Sequence, residues 1–240
     1  MSFPDPAQDT ENRLLNSLTA EERERLSPHL RPVTLPVGEV VYHADELIRR
    51  VYFPADGIVS VVTTSRSGES IEIAMVGREG AAGLPVVLGD GVAHNRRAVV
   101  QVESTGIMME RDAAREEFKR CGRFQEVLLR YAQAYLTQIS QSVFCQRYHV
   151  SDVRLARWLV ECQQRTKSSE FHLTHDYISE VLGIRRAGVT TALKDLSGKG
   201  FIKHSRGLIK ILDQEGLEAF ACECVEIIRA EFDRLFSHTL

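Results

Sequence analysis

LTHDYISEVLGIRRAGVTTALK, residues 173–194, is the stretch that decides the fold of this chain. Its spacing predicts two short helices joined by a turn at Gly183, with Arg185 and Arg186 where the second helix opens. Ile178, Leu182, Ile184, Val189 and Ala192 stand at the apolar or small positions that hold two such helices together, and Ser179 is small where they cross. Thr174 offers a hydroxyl as N-cap of the first helix, and Gly183 can take the left-handed conformation needed to leave it. Two helices so arranged present the second to the major groove of DNA.

Working outward toward the C-terminus, Ser197 to Gly200 read as a turn. Phe201 to His204 and Leu208 to Leu212 alternate as a hairpin around Ser205, Arg206 and Gly207, which would stand beside the second helix as a wing. The chain as a whole carries a net charge of -3, but from Gly183 to Lys210 it holds Arg185, Arg186, Lys194, Lys199, Lys203, Arg206 and Lys210 against Asp195 alone. That local excess of cations is an electrostatic footprint for phosphate. Asp213 to Leu240 read as one amphipathic helix through Leu217, Phe220, Ala221, Val225, Ile228, Phe232 and Leu235.

Toward the N-terminus, Val150 to Arg165 form an amphipathic helix with Ser151 as N-cap and Val153, Ala156, Leu159 and Val160 inward, joined to the two-helix motif by a polar link, Thr166 to Phe171. A longer helix is expected from Arg123 to Arg147. Its stripe Phe124, Leu128, Tyr131, Tyr135, Ile139 and Val143 suits pairing with a second copy of the chain. Before it, Asp112 would cap a short helix, Ala113 to Arg120. Between Arg31 and Arg111 short alternating runs predict strands at Val33–Leu35, Val40–Tyr42, Arg50–Phe53, Gly57–Thr63, Ser70–Val76, Arg97–Val102 and Gly106–Glu110, a sandwich or barrel of jelly-roll kind. Residues 10–30 read as helical, with Thr19 and Glu22 as a capping box.

This order, a strand-rich domain, a long helix and a winged helix-turn-helix, resembles the Crp/Fnr family of bacterial transcription regulators over nearly the whole chain. The resemblance is carried by LPVGEVVYHADELIRRVYFPADGIVSVV, residues 35–62, and by the winged motif from Leu173 to Leu212. It implies an α+β protein with four parts: a helical lead-in (1–30), a jelly-roll β-barrel like the cyclic-nucleotide-binding domain (31–120), a dimerisation helix (121–148) and a winged helix-turn-helix domain (149–240). It implies a homodimer on an inverted repeat of double-stranded DNA, with RNA polymerase as a further partner. By position, Arg186, Ala187 and Thr191 fall where the family reads base edges. Arg186 keeps the family's arginine, whose fork suits guanine, while Ala187 and Thr191 replace the glutamate and arginine of the best-known members, so the half-site should differ from theirs. Thr174, His175, Arg185, Gly188 and Arg206 fall where phosphate contacts are expected, and Lys194 adds charge to the same helix.

In the family's nucleotide-binding members a glutamate after a glycine turn takes the ribose hydroxyl, and an arginine followed by a serine or threonine takes the cyclic phosphate. Here Gly80 and Gly83 match the glycines, but Ala81 stands at the glutamate position; Arg96 matches the phosphate arginine, but Arg97 replaces the hydroxyl residue. The effector is therefore expected not to be cyclic AMP or cyclic GMP, unless Glu79 supplies the missing acceptor. An iron-sulfur sensor needs clustered cysteines near the N-terminus, and the first cysteine is Cys121. Cys222 with Cys224, and His172 with His175, lack a complete four-ligand spacing, so neither metal nor cofactor is expected. Cys145, Cys162 and Cys222 are candidates for a thiol switch, and His43, His94 and His149 for a haem ligand.

Composition, with 43% hydrophobic and 26% charged residues and no long apolar run, suits a cytoplasmic globular protein, and five cysteines suit a reducing compartment. A cupin-like metal enzyme is the alternative of another class. Its clustered histidines are missing, since the strand region holds only His43 and His94.

Overall fold

The fold is that of a computed structural model, which describes residues 10–166 and 168–237. The start of the lead-in and the last three residues of the expected C-terminal helix lie outside them. Seven strands, β1 (Leu30–Leu35), β2 (Val40–Tyr42), β3 (Arg50–Pro54), β4 (Ile58–Thr64), β5 (Ser70–Val76), β6 (Arg96–Val102) and β7 (Ser104–Glu110), form two antiparallel sheets ordered β1-β7-β3 and β2-β6-β4-β5. Each strand sits within a few residues of its predicted place. Their inward side chains, among them Phe53, Val59, Val61, Ala98, Val100 and Met109, fill the space between the sheets.

Helices α1 (Arg13–Asn16) and α2 (Ala20–Leu26) close one end of this roll. The capping box of α2 forms as read, with Thr19 and Glu22 each bonding the other's backbone. Asn12 is fully buried: its amide nitrogen donates to the carbonyls of Pro54 and Gly80, and its oxygen accepts from the first turn of α1. A short helix α3 (Pro85–Leu88), not foreseen, follows the left-handed Gly83. Helix α4 (Arg111–Lys119) starts two residues earlier than expected, so Asp112 lies in its first turn and Glu110 stands at the cap. Helix α5 (Arg123–Tyr148) is the longest among the described residues, at 26 residues.

In the C-terminal half come α6 (Ser151–Thr166), β8 (Glu170–His172), α7 (His175–Leu182), α8 (Arg186–Gly198), β9 (Ile202–Ser205), β10 (Leu208–Ile211), α9 (Gln214–Phe220) and α10 (Cys224–Ser237). The Arg154 N–H donates to the Val150 carbonyl, so Val150 and not Ser151 precedes the first turn of α6. The expected polar link contains a strand: β8 pairs with β10 and completes a three-stranded wing sheet, β8-β10-β9. The expected single C-terminal helix is two helices. Its apolar spacing runs on unbroken, but the chain turns at Ala221–Glu223 so that α9 packs on α6 while α10 swings back along α5. Ile228, Phe232 and Leu235 of α10 thereby join the core of the roll, while Leu155, Trp158, Leu159, Leu193 and Ile209 build a second core around the two-helix motif.

Candidate nucleic-acid interface and effector cavity

The two-helix motif folds as its residues dictate. Thr174 caps α7 by accepting from the Tyr177 N–H, and Gly183 ends it at φ 58°. The positive φ is what calls for glycine there; a methyl group added at Gly183 would come within 2.6 Å of Ile71 Cδ1 on β5, a side-chain end that can move aside. Ile178, Leu182, Val189 and Ala192 are buried between the helices, and the Ser179 hydroxyl bridges them by donating to the Ile184 carbonyl. The buried Arg154 of α6 donates to the Leu182 carbonyl, a cation at a helix C-terminus.

Helix α8 turns Arg185, Arg186, Ala187, Thr190, Thr191 and Lys194 to solvent, with Gly188 half-buried among them. Its cap, Arg185, makes no side-chain capping bond, so the N–H groups of Arg186 and Ala187 are left to meet a phosphate, while that of Gly188 is taken by the Arg185 carbonyl. Arg186 is held by Asp176 of α7 at 3.1 Å, both exposed. Thr191 donates its hydroxyl to the Ala187 carbonyl and Thr190 to the Arg186 carbonyl, which leaves methyl groups and oxygen lone pairs outward. Thr190 was missed in the sequence; lying one turn beyond Arg186 was the signal available. Thr174 is exposed and His175 half-buried, stacked 5.7 Å from His204 of the wing, another residue sequence reasoning passed over.

The wing tip is Arg206 at φ 49° and Gly207 at φ 80°, a two-residue turn of the kind that suits a tight hairpin. Arg185, Lys194 and Arg206 have no ion-pair partner among the described residues, whereas Lys210 pairs with Glu170 at 2.7 Å. His172 is exposed on β8 and forms no metal-binding group with His175.

In the roll, a cavity of about 320 Å³ opens between the β-sheets and α5, lined by Tyr42, Val61, Ala81, Ala82, Gly83, Leu84, Arg96, Ala132, Tyr135, Leu136 and Ile139, with Asp90 at the rim. Its walls are mostly apolar, with the phenols of Tyr42 and Tyr135, the Asp90 carboxylate and one cation, Arg96. Burial pushes the Tyr42 phenol up to about 12 despite that neighbouring charge. Of the five residues expected here, Ala81, Gly83 and Arg96 line the cavity. Gly80 instead lets the ring of Tyr131 approach, since a Cβ there would lie 2.5 Å from the Tyr131 hydroxyl oxygen. Arg97 points away, because neighbours on a strand face opposite sides: it pairs with Glu180 of α7 at 2.7 Å. Glu79 does not supply the missing acceptor. It is buried and bound by Arg165 at 2.9 Å and by the Gly77 N–H.

Beside the Arg97–Glu180 pair lies a buried polar joint. Glu72 of β5 accepts from Trp158 Nε1 at 2.8 Å, from the Ser60 hydroxyl and, at 3.3 Å, from the Tyr177 hydroxyl, tying β4 and β5 to α6 and α7. Burial raises the Glu72 carboxyl to about 7, against the lowering pull of Ser60 and Trp158.

The expected dimer stripe divides. Phe124, Leu128 and Tyr131 are buried in the chain's own core, and Tyr135 and Ile139 line the cavity; Val143 alone of the six is fully on the surface. The apolar ridge that does face solvent is Leu129, Leu136 and Val143, at 48%, 60% and 63% exposure, with Ala132 and Ile139 half-buried between them. Of the thiol-switch candidates, Cys162 is buried against Met75, and its thiol is raised well above the ordinary value by desolvation. Cys145 and Cys222 meet at 3.6 Å beside Cys224 and His149, so Cys222 and Cys224 do have partners that their own spacing concealed. His43 is exposed, and His94, paired with Asp45 at 3.3 Å, is exposed too; neither lines the cavity.

The family profile of the cyclic nucleotide-binding domain matches residues 32–121, and that of the Crp-like helix-turn-helix domain matches residues 153–220. The chain belongs to the Crp/Fnr family of transcription regulators. It is 25% identical over 199 residues, 80% of this chain and 88% of the other, to a CRP-like cAMP-activated global transcriptional regulator of Mycobacterium tuberculosis. Solved structures share the fold. A transcriptional regulator of the CRP/FNR family from Thermus thermophilus matches with TM-score 0.64 at 20% identity, covering 80% of this chain and 98% of that one. The c-di-GMP responsive global regulator CLP from Xanthomonas campestris matches with TM-score 0.65 at 12% identity, covering 80% and 99%. Among the described residues no helix is long and apolar enough to cross a membrane.

Proposed function

We propose that this regulator acts as a homodimer that reads an inverted repeat through α8, under the control of a small effector other than cyclic AMP. The carrying observation is the solvent-facing row Arg185, Arg186, Ala187, Thr191 and Lys194 on a helix held rigid by α7 and flanked by the Arg206 wing. Arg186 suits guanine, and the outward methyl of Thr191 suits a thymine methyl. Arg185 of this row, with Gly188, Thr174, His175 and Arg206 around it, would supply phosphate contacts. The second copy would dock on Leu129, Ala132, Leu136, Ile139 and Val143, whose alternating steps of three and four are those of a two-stranded coiled-coil seam. Selection of bound DNA from a random pool tests this. The expected result is a palindrome whose half-sites lie about one helical turn apart; enrichment of a single, non-repeated site would refute the dimeric reading.

The effector reading rests on the cavity. It offers Arg96 to an anion and apolar walls to the rest of the ligand, with Ala81 where a carboxylate would be needed for a ribose hydroxyl, and with Glu79 and Arg97 both engaged elsewhere. A compact anion with an apolar body fits this lining. Calorimetric titration that found low-micromolar binding of cyclic AMP or cyclic GMP would overturn it. RNA polymerase remains the expected partner in transcription.

A further inference from the structure

The last turn of α5 sets Cys145 and His149 one helical turn apart on the same face, and the chain between α9 and α10 brings Cys222 and Cys224 against them. One donor atom from each of the four residues lies within 4.8 Å of all the others. Cys145 Sγ and Cys222 Sγ are 3.6 Å apart, and Cys224 Sγ is 3.8 Å from His149 Nδ1. Four ligands around one tetrahedral zinc, at Zn–S about 2.3 Å and Zn–N about 2.0 Å, stand roughly 3.5 to 3.8 Å from one another. The side chains are thus already spaced for a single small cation. An iron-sulfur cluster distributes its thiolates over several iron atoms and needs a wider ring of donors.

We propose that Cys145, His149, Cys222 and Cys224 form a closed, tetrahedral Cys₃His site for one zinc ion. Burial makes the site structural, not catalytic. Cys145 and Cys224 are wholly buried and Cys222 nearly so, with no position left for a bound water. The surroundings supply what such a site requires beyond its ligands. His149 directs Nδ1 at the cluster and Nε2 at Glu223 Oε2, 3.4 Å away, so an Nε2–H given to that carboxylate fixes the tautomer that ligates. Three thiolates, one neutral imidazole and Zn²⁺ sum to a single negative charge, and the buried guanidinium of Arg157 lies where its charge acts on both Cys145 and Cys222. Binding would release the thiol protons and leave the redox state of the sulfurs unchanged.

The position gives the ion a role. His149 is the last residue before the turn into α6, and Cys222 follows α9 directly, so the DNA-binding module, residues 150–221, enters and leaves the rest of the molecule at this one point. A metal there ties the neck of the module, closing a long loop as a cross-link would. Nothing in the DNA-reading face or the effector cavity is needed for it.

The test is metal analysis of the full-length protein purified under reducing conditions without chelator. About one zinc per chain is expected, released by a thiol-modifying reagent and replaceable by Co²⁺ with the visible spectrum of tetrahedral thiolate coordination. The cobalt titration uses the unaltered chain, so it does not depend on any variant folding. Cys224→Ser should lose the ion and Cys121→Ser, on the surface, should keep it. His149→Cys should hold cobalt with a red-shifted, all-thiolate spectrum, and Glu223→Gln should weaken zinc about 10- to 100-fold in chelator competition. Protein that binds neither zinc nor cobalt with all three thiols at the neck free would overturn the assignment. So would a Cys145–Cys222 disulfide in freshly isolated protein, or iron with acid-labile sulfide in place of zinc.

Discussion

Replacing Glu72 by glutamine isolates the charge at the joint between the roll and the helix-turn-helix. The carboxyl is buried among Ser60 of β4, Trp158, Arg157 and Glu161 of α6 and Tyr177 of α7. Desolvation, with a further push from Glu161, raises it from 4.5 to about 7; Ser60, Trp158 and Arg157 pull the other way and lose. A raised carboxyl binds its proton more tightly in the folded state than in the unfolded one. Its contribution is therefore complete below about pH 4.5 and disappears as pH rises through about 7. At about 1.4 kcal/mol per pKa unit, the loss across that window is on the order of 3 kcal/mol. Glutamine keeps the acceptor for Trp158 Nε1, offers an amide hydrogen to the Ser60 and Tyr177 oxygens, and does not ionise. Urea unfolding of both proteins should give equal stabilities near the acid end. At the alkaline end Glu72→Gln should be the more stable, by up to about 3 kcal/mol, so that its pH profile is flatter. Parallel profiles, or a variant less stable at every pH, would refute the claim that the charged form of Glu72 is the strained one.

Three further outcomes follow from the same geometry. Arg186→Ala should cost about 1 to 3 kcal/mol on the selected palindrome and little on random DNA, measured by fluorescence anisotropy at fixed salt; an equal loss on both would make Arg186 a phosphate contact. Val143→Glu places a charge in the proposed seam on a residue that the single chain leaves 63% exposed. Sedimentation should show a dimer converted to a monomer of unchanged circular dichroism, and an unchanged dimer would move the interface elsewhere. Arg97→Ala removes an ion pair whose side chains are about one-third exposed, 35% and 29%. The expected cost is below about 1 kcal/mol, but amide exchange along α7 should quicken while that of α8 does not, and uniform protection in both would show that the pair holds nothing in place.

What could be read from the sequence was what local spacing controls. The strands of the roll alternate between turns that contain glycine, proline or polar residues, and the two-helix motif has fixed offsets around one left-handed glycine, so both could be placed to within a few residues. Neighbours distant in sequence could not be. Helix α5 is apolar on more than one face, and periodicity does not say that Phe124, Leu128 and Tyr131 meet their own chain while Leu129, Leu136 and Val143 face outward. Arg96 and Arg97 are adjacent and chemically alike. Only the register of β6 decides that one meets the cavity and the other meets Glu180. Cys145 and Cys222 are 77 residues apart, and an i, i+4 pair on one helix gives no hint of a C-x-C pair beyond a whole domain.

The break at Ala221–Glu223 was hidden for the same reason, and it shapes how the two halves of the molecule are joined. The apolar rhythm from Leu217 to Leu235 continues through it, yet α9 packs on α6 and α10 on α5, so one stripe serves two cores. Ile228, Phe232 and Leu235 are buried in the core of the roll, and removing any one to alanine should cost on the order of 2 to 5 kcal/mol. The contacts of α7 with the roll are of another kind: one ion pair, the Tyr177 hydroxyl shared between Ser60 and Glu72, and the approach of Ile71 to Gly183. Such contacts contribute about 1 kcal/mol each and depend on protonation. The seam of α7 with β5 and β6 is therefore the more polar of the two, and that of α10 with α5 the more apolar. The polar seam carries Arg97, the immediate neighbour in β6 of Arg96, the one cation that lines the cavity among the described residues.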